Sequence, residues 1–195
     1  METKKEDLTL LGVKDAVTAL KKGVCSSERL IESCLAKIKS NNGKINGFIH
    51  FETEQATRDA LQSDNRRKNG TLLSPLDGVP LAVKDNIDIL GQPTTNGLGM
   101  HWIPSKDAAI VKLLRNKGMV FLGKTNMHEA ALGATTDNPH YGKCFNPLLE
   151  GHTPGGSSGG SGAVVSGYLC PAALGTDTMG SVRVPAAYCG IVGFK

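Results

Sequence analysis

The sequence lacks the features that would place the protein in a membrane or on the secretory route. No apolar run approaches the roughly 18 residues that a membrane span requires. The amino-terminal stretch M-E-T-K-K-E-D has no apolar segment of the kind found in secretory leaders. These absences predict a cytoplasmic protein that makes no membrane contact.

Cysteine pairs with the spacing of a metal or redox site are also missing. The five cysteines are odd in number and widely spread, and none forms a C-x-x-C pair. We therefore expect reduced, mostly buried thiols and no metal site. A cysteine nucleophile at Cys144, served by His140, stays open as a minor alternative because the two residues are close in sequence.

The charge pattern gives no sign of nucleic-acid binding. The net charge of +4 is mild for a chain of 195 residues, a length that fits one domain. The densest basic clusters, at 21–22 and 66–68, are most simply solvated helix ends. We expect no direct contact with nucleic acid.

Glycine is abundant, and it is concentrated between Thr153 and Tyr188. The segment reads T-P-G-G-S-S-G-G-S-G-A and later A-L-G-T-D-T-M-G-S-V-R-V-P-A-A-Y. Glycine at this density costs backbone entropy on folding. Such a cost is tolerated where backbone must approach a ligand or another strand closely.

Four interpretations of this glycine-rich segment compete. A phosphate-binding loop is disfavoured because neither G-x-x-x-x-G-K-[ST] nor G-x-G-x-x-G occurs. Residues 155–159 fit the nucleophile elbow G-x-S-x-G, but that fold needs a later histidine and every histidine precedes Ser157. A flexible linker is disfavoured because the segment runs into apolar stretches. The fourth interpretation is a pair of serines served by a lysine.

Hydrophobic periodicity predicts strands that alternate with helices. The helices are expected at 11–22, 28–40, 54–67, 108–117, 126–132 and 161–167, with a helical turn at 185–189. The strands are expected at 48–51, 79–84, 119–122, 172–174 and 191–194, with irregular loops at 94–99 and 137–151. This alternation predicts an α/β layered fold with a mixed, mostly parallel sheet flanked by helices. Sites in such sheets collect beyond the strand ends, where Lys84 and Ser181 could meet.

The motifs of the chain resemble the signature of the amidase-signature family of serine hydrolases. The shared pattern is G-G-S-S-G-G-x-x-A followed by G-T-D-x-x-x-S-[IV]-R-x-P-A. Earlier blocks agree as well: G-V-P-L-A-V-K-D-N-I-D at 78–88, G-K-T-N-M-H-E at 123–129 and N-P at 146–147. The resemblance runs from about Leu8 to the end of the chain.

The resemblance implies a single, partial domain of the amidase-signature type. Residues 1–70 would form its N-terminal helical part, and 71–195 would form the catalytic core with the signature loop 153–188. Enzymes of this family continue for a large second half. The resemblance therefore implies an N-terminal portion whose layered fold is truncated on its C-terminal side.

The resemblance also assigns the catalytic roles. It implies that Lys84 is a neutral base, that Ser157 is a bridging serine after a cis peptide bond, and that Ser181 is the nucleophile. Burial can lower the pKa of a lysine by up to about 3–5 units, which would supply a base near neutral pH. Neither a metal nor an organic cofactor is then implied.

The backbone around the nucleophile has further implied roles. The N–H groups of Thr178, Met179 and Gly180 would form the oxyanion hole. The family more often has Gly-Gly before the nucleophile, and here Met179 replaces the first glycine. Met179 would therefore either pay strain at a positive φ or narrow the pocket. Asp177 and Arg183 are expected to form an inward ion pair that stiffens this loop, while Met127, Met179 and Phe194 are expected in the core or the pocket wall.

Three functions follow from the resemblance. The first is an amidase that hydrolyses the C–N bond of a small-molecule carboxamide through an acyl-enzyme, with a homodimer as its candidate assembly. The second is an A-subunit-like component of the glutamine-dependent aspartyl/glutamyl-tRNA amidotransferase, which feeds ammonia to a partner. G-K-T-N-M favours this function, whereas Val184 stands where that component usually has glutamine. The third is an inactive, truncated amidase homologue.

Overall fold

The computed structural model describes residues 7–195. The first six residues, which carry most of the segment used to argue against a secretory leader, lie outside the described residues. Within 7–195, none of the helices combines the length and the apolar character that crossing a membrane requires.

A four-stranded mixed sheet lies at the centre of the fold. Its strand order is β1 (Phe48–Phe51), β3 (Val120–Thr125), β2 (Pro80–Lys84) and β6 (Ala173–Leu174). β2 pairs in parallel with both β3 and β6, whereas β1 is antiparallel to β3. The sheet is therefore mixed and mostly parallel, which confirms the predicted fold class. Because β1 pairs with β3, the N-terminal part and the predicted catalytic core share one sheet.

Helices flank this sheet in chain order. They are a 3₁₀-helix at Leu8–Leu10, α1 (Val13–Lys22), α2 (Ser27–Ile45), α3 (Thr53–Lys68), α4 (Ala109–Asn116), a 3₁₀-helix at Glu129–Ala131, α5 (Gly159–Ser166) and α6 (Arg183–Tyr188). A small hairpin of β4 (Asp137–Asn138) and β5 (Gly142–Lys143) stands apart from the main sheet.

Apolar side chains cover both faces of the sheet. β2 and β3 are buried at every residue, as expected for parallel strands that have helices on both sides. Ala82 and Leu122 belong to the cluster that α2, α3 and α5 cover. Val83 and Phe121 belong to the cluster that α1 and α4 cover. Lys84 is the last residue of β2, and its side chain is therefore buried in the protein interior.

Helix α2 extends further than the sequence predicts. The N-N-G run at 41–43 predicts an end near residue 40, but the helix continues to Ile45 and ends at Asn46 in a left-handed conformation. The side chain of Asn42 explains this difference. Its Oδ1 accepts hydrogen bonds from the N–H groups of Gly47 and Phe48, and its Nδ2 donates to Phe48 O. Asn42 therefore joins the helix to β1 instead of breaking it.

Two other predicted elements are wrong. Residues 191–194 form no strand, because Ile191 N donates to Ala186 O and closes the turn after α6 instead of pairing with the sheet. Phe194, expected in the core or the pocket wall, is 90% exposed. The helix predicted at 126–132 is reduced to one 3₁₀ turn, since Ala130 and Ala131 have positive φ angles of 50° and 60°.

Gly123 in β3 provides a test of the packing between β1 and β3. It has a φ of 148°, and a Cβ there would collide with His50 O and lie 2.6 Å from Phe51 Cα. We expect Gly123→Ala to lower the free energy of unfolding by about 3 kcal/mol, since the backbone of β1 must move away. Urea denaturation followed by circular dichroism measures this change.

Gly43→Ala is the matched control for that substitution. Gly43 lies in α2 with an ordinary φ, and a Cβ there would meet nothing within 4 Å. We expect this variant to be more stable by about 0.5–1 kcal/mol, because alanine loses less backbone entropy in a helix. Equal effects of the two substitutions would contradict the packing described for Gly123.

Candidate active site

The amine of Lys84 lies at the centre of the candidate site. Lys84 ends β2 and is 0% exposed. Its Nζ lies 2.7 Å from Ser157 Oγ and 2.7 Å from Thr176 Oγ1. Burial lowers the pKa of Lys84 from 10.5 to about 8, against the opposing effect of the Asp177 charge. A substantial fraction of this amine is therefore neutral at mildly alkaline pH.

Ser157 is the predicted bridging serine. The peptide bond that precedes it, Gly156–Ser157, is cis, as the resemblance implies. The carbonyl of Ser157 accepts a hydrogen bond from His128 N at 3.0 Å, and the whole residue is buried. The structure thus brings Ser157 and Lys84 together, although they are distant in sequence.

Close backbone packing explains why glycine is abundant here. A Cβ on Gly156 would lie 2.8 Å from both Gly133 O and Thr135 N. A Cβ on Gly160 would collide with the backbone of Asn126, whose carbonyl accepts a hydrogen bond from Gly160 N at 3.0 Å. A flexible linker would not make these contacts, so this segment is part of the packed interior.

Ser181, the predicted nucleophile, lies next to the serine pair. Ser158 N donates to Ser181 O at 3.1 Å, so the turn that carries Ser181 is bonded directly to the residue after Ser157. Ser181 is half-buried. Within residues 7–195, no hydrogen bond joins Ser181 Oγ to Ser157 Oγ. The lysine–serine contact is therefore formed, and the serine–serine contact is not.

The turn before Ser181 is organised by the carboxylate of Asp177. Arg183 Nε and Nη2 each lie 3.0 Å from an oxygen of this carboxylate. Hydrogen bonds from Arg183 lower the pKa of Asp177 well below its usual range, with further support from the N–H groups of Gly180 and Val182. The Asp177 side chain is 2% exposed, whereas that of Arg183 is 56% exposed. The ion pair therefore stiffens the turn, but its arginine faces outward and not inward as expected.

The predicted oxyanion hole is only partly available. Gly180 N donates to Asp177 Oδ1 at 2.8 Å, so this N–H is already used inside the turn. The N–H groups of Thr178 and Met179 have no partner among the described residues. Met179 does not have a positive φ and its side chain is 92% exposed. It therefore does not strain the backbone, so that expectation is wrong, and within residues 7–195 the residue is exposed and not part of a pocket wall.

Two residues of the site were not singled out from the sequence. Thr176 Oγ1 contacts Lys84 Nζ and also accepts a hydrogen bond from Asn86 Nδ2 at 3.1 Å. Asn86 Oδ1 is buried and has no hydrogen-bond partner among residues 7–195. Both residues lie inside matched motifs, K-D-N and G-T-D. Their places in these motifs could have marked them as candidates, but no pattern in the sequence shows that the two side chains are in contact.

The alternative nucleophile Cys144 lacks an activating environment. Burial raises the pKa of its thiol, and the neighbouring Cys189 adds to this effect. Its proposed base, His140, pairs instead with Glu129, at 3.1 Å between Nε2 and Oε1. A thiol that resists ionisation is a poor nucleophile. The geometry therefore favours the lysine and serine site.

Comparison with known proteins identifies the family to which the chain is similar. A family model described as "Amidase" matches residues 29–195. The A-subunit of glutamyl-tRNA(Gln) amidotransferase from Anaeromyxobacter sp. (strain K) is 42% identical over 197 residues, covering 100% of this chain and 40% of that protein. The chain thus spans about two fifths of the length of this relative.

Solved structures of other proteins share the fold of this chain over most of its length. One is described as an unexpected vestigial protein complex that reveals the evolutionary origins of an s-triazine catabolic enzyme. It has a TM-score of 0.88 and 40% identity, and the match covers 92% of this chain and 40% of that one. Another is the native peptide amidase from Stenotrophomonas maltophilia, with a TM-score of 0.83 and 32% identity over 94% of this chain and 38% of that one.

The burial of Lys84 predicts a specific dependence of stability on pH. The pKa of Lys84 is about 8 in the folded protein, and its ordinary value of 10.5 applies to the unfolded chain. Between these two pH values the unfolded chain therefore binds more protons than the folded protein. The free energy of unfolding should therefore rise with pH from 8 to 10.5, by about 3 kcal/mol from this residue. Because the buried thiols and Lys124, whose pKa values are also shifted, are present in both proteins, urea denaturation across this range should show the wild type gaining about 3 kcal/mol relative to Lys84→Met. The same slope in both proteins would contradict the predicted environment of Lys84.

Proposed function

Since the chain belongs to the amidase family, we propose that it carries a lysine–serine–serine active site for the cleavage of carboxamides. The observation that carries this proposal is the 2.7 Å contact between the buried Lys84 Nζ and Ser157 Oγ. A lysine with a lowered pKa can accept a proton from a serine hydroxyl, which is a weak nucleophile by itself.

In the proposed reaction, Ser181 Oγ attacks the amide carbon. Its proton passes to Ser157 Oγ, and the proton of Ser157 passes to Lys84 Nζ. The N–H groups of Thr178 and Met179 are the available donors for the oxyanion. The C–N bond then breaks, and the protons return along the same path to the leaving nitrogen. Water hydrolyses the acyl-enzyme by the same relay.

This relay requires a hydrogen bond that is absent from the arrangement described above. Ser157 Oγ has its bond to Lys84, but Ser181 Oγ must come within hydrogen-bond distance of Ser157 Oγ before it can lose its proton. Catalytic hydrogen bonds commonly tighten only in the complex with substrate. We propose that substrate binding brings the two hydroxyls together.

We propose glutamine as the amide that is cleaved, with the released ammonia passed to a partner protein. The relative from Anaeromyxobacter is the A-subunit of a glutamyl-tRNA(Gln) amidotransferase and matches all of this chain. The G-K-T-N-M block at 123–127 also favours this function. The chain spans about 40% of that relative, so the acyl pocket and the partner contacts are assigned to the whole protein.

A second candidate is an amidase that acts alone on an apolar amide. Val184 favours it, because glutamine is usual at this position in the amidotransferase component. The two methyl groups of Val184 lie close to Gly155 and Gly180. A Cβ built on Gly155 would lie 3.2 Å from Val184 Cγ1, and a Cβ built on Gly180 would lie 3.1 Å from Val184 Cγ2. This places an apolar side chain behind the nucleophile turn. The structural similarity to a peptide amidase agrees with such a function.

Labelling with a fluorophosphonate tests the proposed nucleophile. We expect covalent modification of Ser181, mapped by mass spectrometry, with a labelling rate that increases with pH around the Lys84 pKa of about 8. Ser181→Ala should abolish labelling. Lys84→Met and Ser157→Ala should each slow it by about 100-fold or more, a typical effect of losing general-base catalysis.

Ser33→Ala is the control for this experiment, because Ser33 lies in α2 and donates only to Arg29 O. This variant should be labelled at the wild-type rate. Modification of a residue other than Ser181, or full labelling of Lys84→Met, would contradict the proposed mechanism.

Ammonia release separates the two candidate functions. Release from glutamine that is at least 10-fold faster than from an apolar amide such as propionamide would support the amidotransferase component. Faster release from propionamide would support the amidase that acts alone. Both rates should vanish in Ser181→Ala.

A further inference from the structure

A second buried lysine lies close to the site, and the proposed mechanism does not use it. Lys124, in β3, is 0% exposed. Its Nζ lies 3.6 Å from Asp85 Oδ1 and donates to Pro93 O at 3.1 Å and Thr94 Oγ1 at 3.0 Å. It also donates to the backbone carbonyl of Asp85 at 3.4 Å. This amine therefore joins β3 to the end of β2 and to the loop 93–97.

Asp85 binds the same loop through its carboxylate. It accepts hydrogen bonds from Thr95 N at 3.2 Å, from Thr95 Oγ1, and from Gly97 N at 3.1 Å. Asp85 directly follows Lys84 in the chain, and its N–H donates to Thr125 O in β3. The Asp85–Lys124 pair thus fixes the backbone from which the Lys84 side chain extends.

The loop 93–97 also reaches the other side of the Lys84–Ser157 contact. Asn96 O accepts from Ala130 N at 2.9 Å, which holds the short turn that begins after His128. His128 N, in turn, donates to Ser157 O at 3.0 Å. Hydrogen bonds and the short backbone segments between them therefore connect Asp85 through the loop to the backbone of Ser157.

We propose that the Asp85–Lys124 pair is a positioning device that holds both partners of the Lys84–Ser157 contact. It fixes Lys84 through the end of β2, and it fixes Ser157 through the loop 93–97 and His128. Neither side chain touches the reacting atoms, so both are positioning residues. The inference rests on the proposed function only in treating the Lys84–Ser157 contact as the proton relay.

The energetics agree with a positioning role. Burying two charges costs solvation energy that their attraction often fails to offset, so a buried ion pair is a weak source of stability. Burial lowers the pKa of Lys124, while the charges of Asp85 and Asp88 oppose this effect. A pair of apolar side chains could fill the same volume, but it could not bind two carbonyls, two hydroxyls and two backbone N–H groups. The charged pair fixes the geometry of one loop.

Lys124→Met tests the proposal because it removes the amine and keeps an apolar stem. We expect the loop to loosen and the Lys84 amine to leave Ser157 for water. The midpoint of Lys84 titration, about 8 in the wild type, should then rise by one unit or more toward 10.5. NMR of ¹⁵N-lysine-labelled protein measures this midpoint, with Lys84→Met assigning the signal. Within residues 7–195, the carboxylate whose charge raises the pKa of Lys84 is that of Asp177, and the variant leaves it intact.

Amide hydrogen exchange gives a second measurement. The N–H groups of Thr95 and Gly97 should exchange at least 10-fold faster in Lys124→Met. The control is Lys143→Met, which breaks the exposed Lys143–Asp137 pair of 3.0 Å between Nζ and Oδ2. This control should change neither the Lys84 titration nor the exchange of the loop amides.

The outcomes are distinct. A folded Lys124→Met with the wild-type Lys84 titration and wild-type exchange at Thr95 and Gly97 would overturn the proposal. If Lys124→Met fails to fold, Thr94→Val serves instead, since it keeps the side-chain shape and removes the 3.0 Å acceptor of Lys124. It should raise the Lys84 midpoint in the same direction and speed loop exchange at least 3-fold, and unchanged values would again overturn the proposal.

Neither measurement requires turnover. A protein that shows these responses but is never labelled at Ser181 would refute the proposed function and leave this inference standing. A protein that is labelled at Ser181, but whose Lys84 titration and loop exchange do not change in the variants, would support the proposed function and refute this inference.

Discussion

The exclusion of water from the Lys84 amine is the constraint on which the candidate site depends. An ammonium group in water has a high pKa and cannot act as a base at neutral pH. Lys84 loses its hydration because β2 lies between two parallel neighbours and is covered by helices on both faces. The two hydroxyls that contact Nζ replace only part of that hydration. Burial in the sheet thus lowers the pKa of this amine, as the proposed role of a base requires.

The remaining parts of the site depend on close backbone contact at the end of the sheet. The buried glycines allow the serine segment to pack closely against the neighbouring backbone, next to the end of β2. Asp177 gathers the N–H groups of the turn that carries Ser181. This turn is held by its own hydrogen bonds, which explains why one of the predicted oxyanion donors, Gly180 N, is already occupied.

Much of the fold could be predicted from the sequence because its elements have clear local signals. The apolar run that ends in Lys84 predicted β2, and the helical spacing of apolar residues after Ser27 predicted α2. The failures have physical causes outside the local pattern. Asn42 extended α2 by bonding to β1, and residues 191–194 found no strand to pair with. Ala130 and Ala131 adopted left-handed conformations that alanine rarely takes, in a turn held by Asn96 O.

The sequence by itself determined the family, the mixed α/β fold class and the candidates Lys84, Ser157 and Ser181, because these follow from motifs and periodicities that are local along the chain. Only the tertiary structure decided which of them touch. It formed the Lys84–Ser157 contact, left the two serine hydroxyls unbonded, added Thr176 and Asn86, and joined Lys124 to Asp85. The reason is that a buried polar group bonds to whichever partner the packing brings within about 3 Å, and no local pattern encodes that choice.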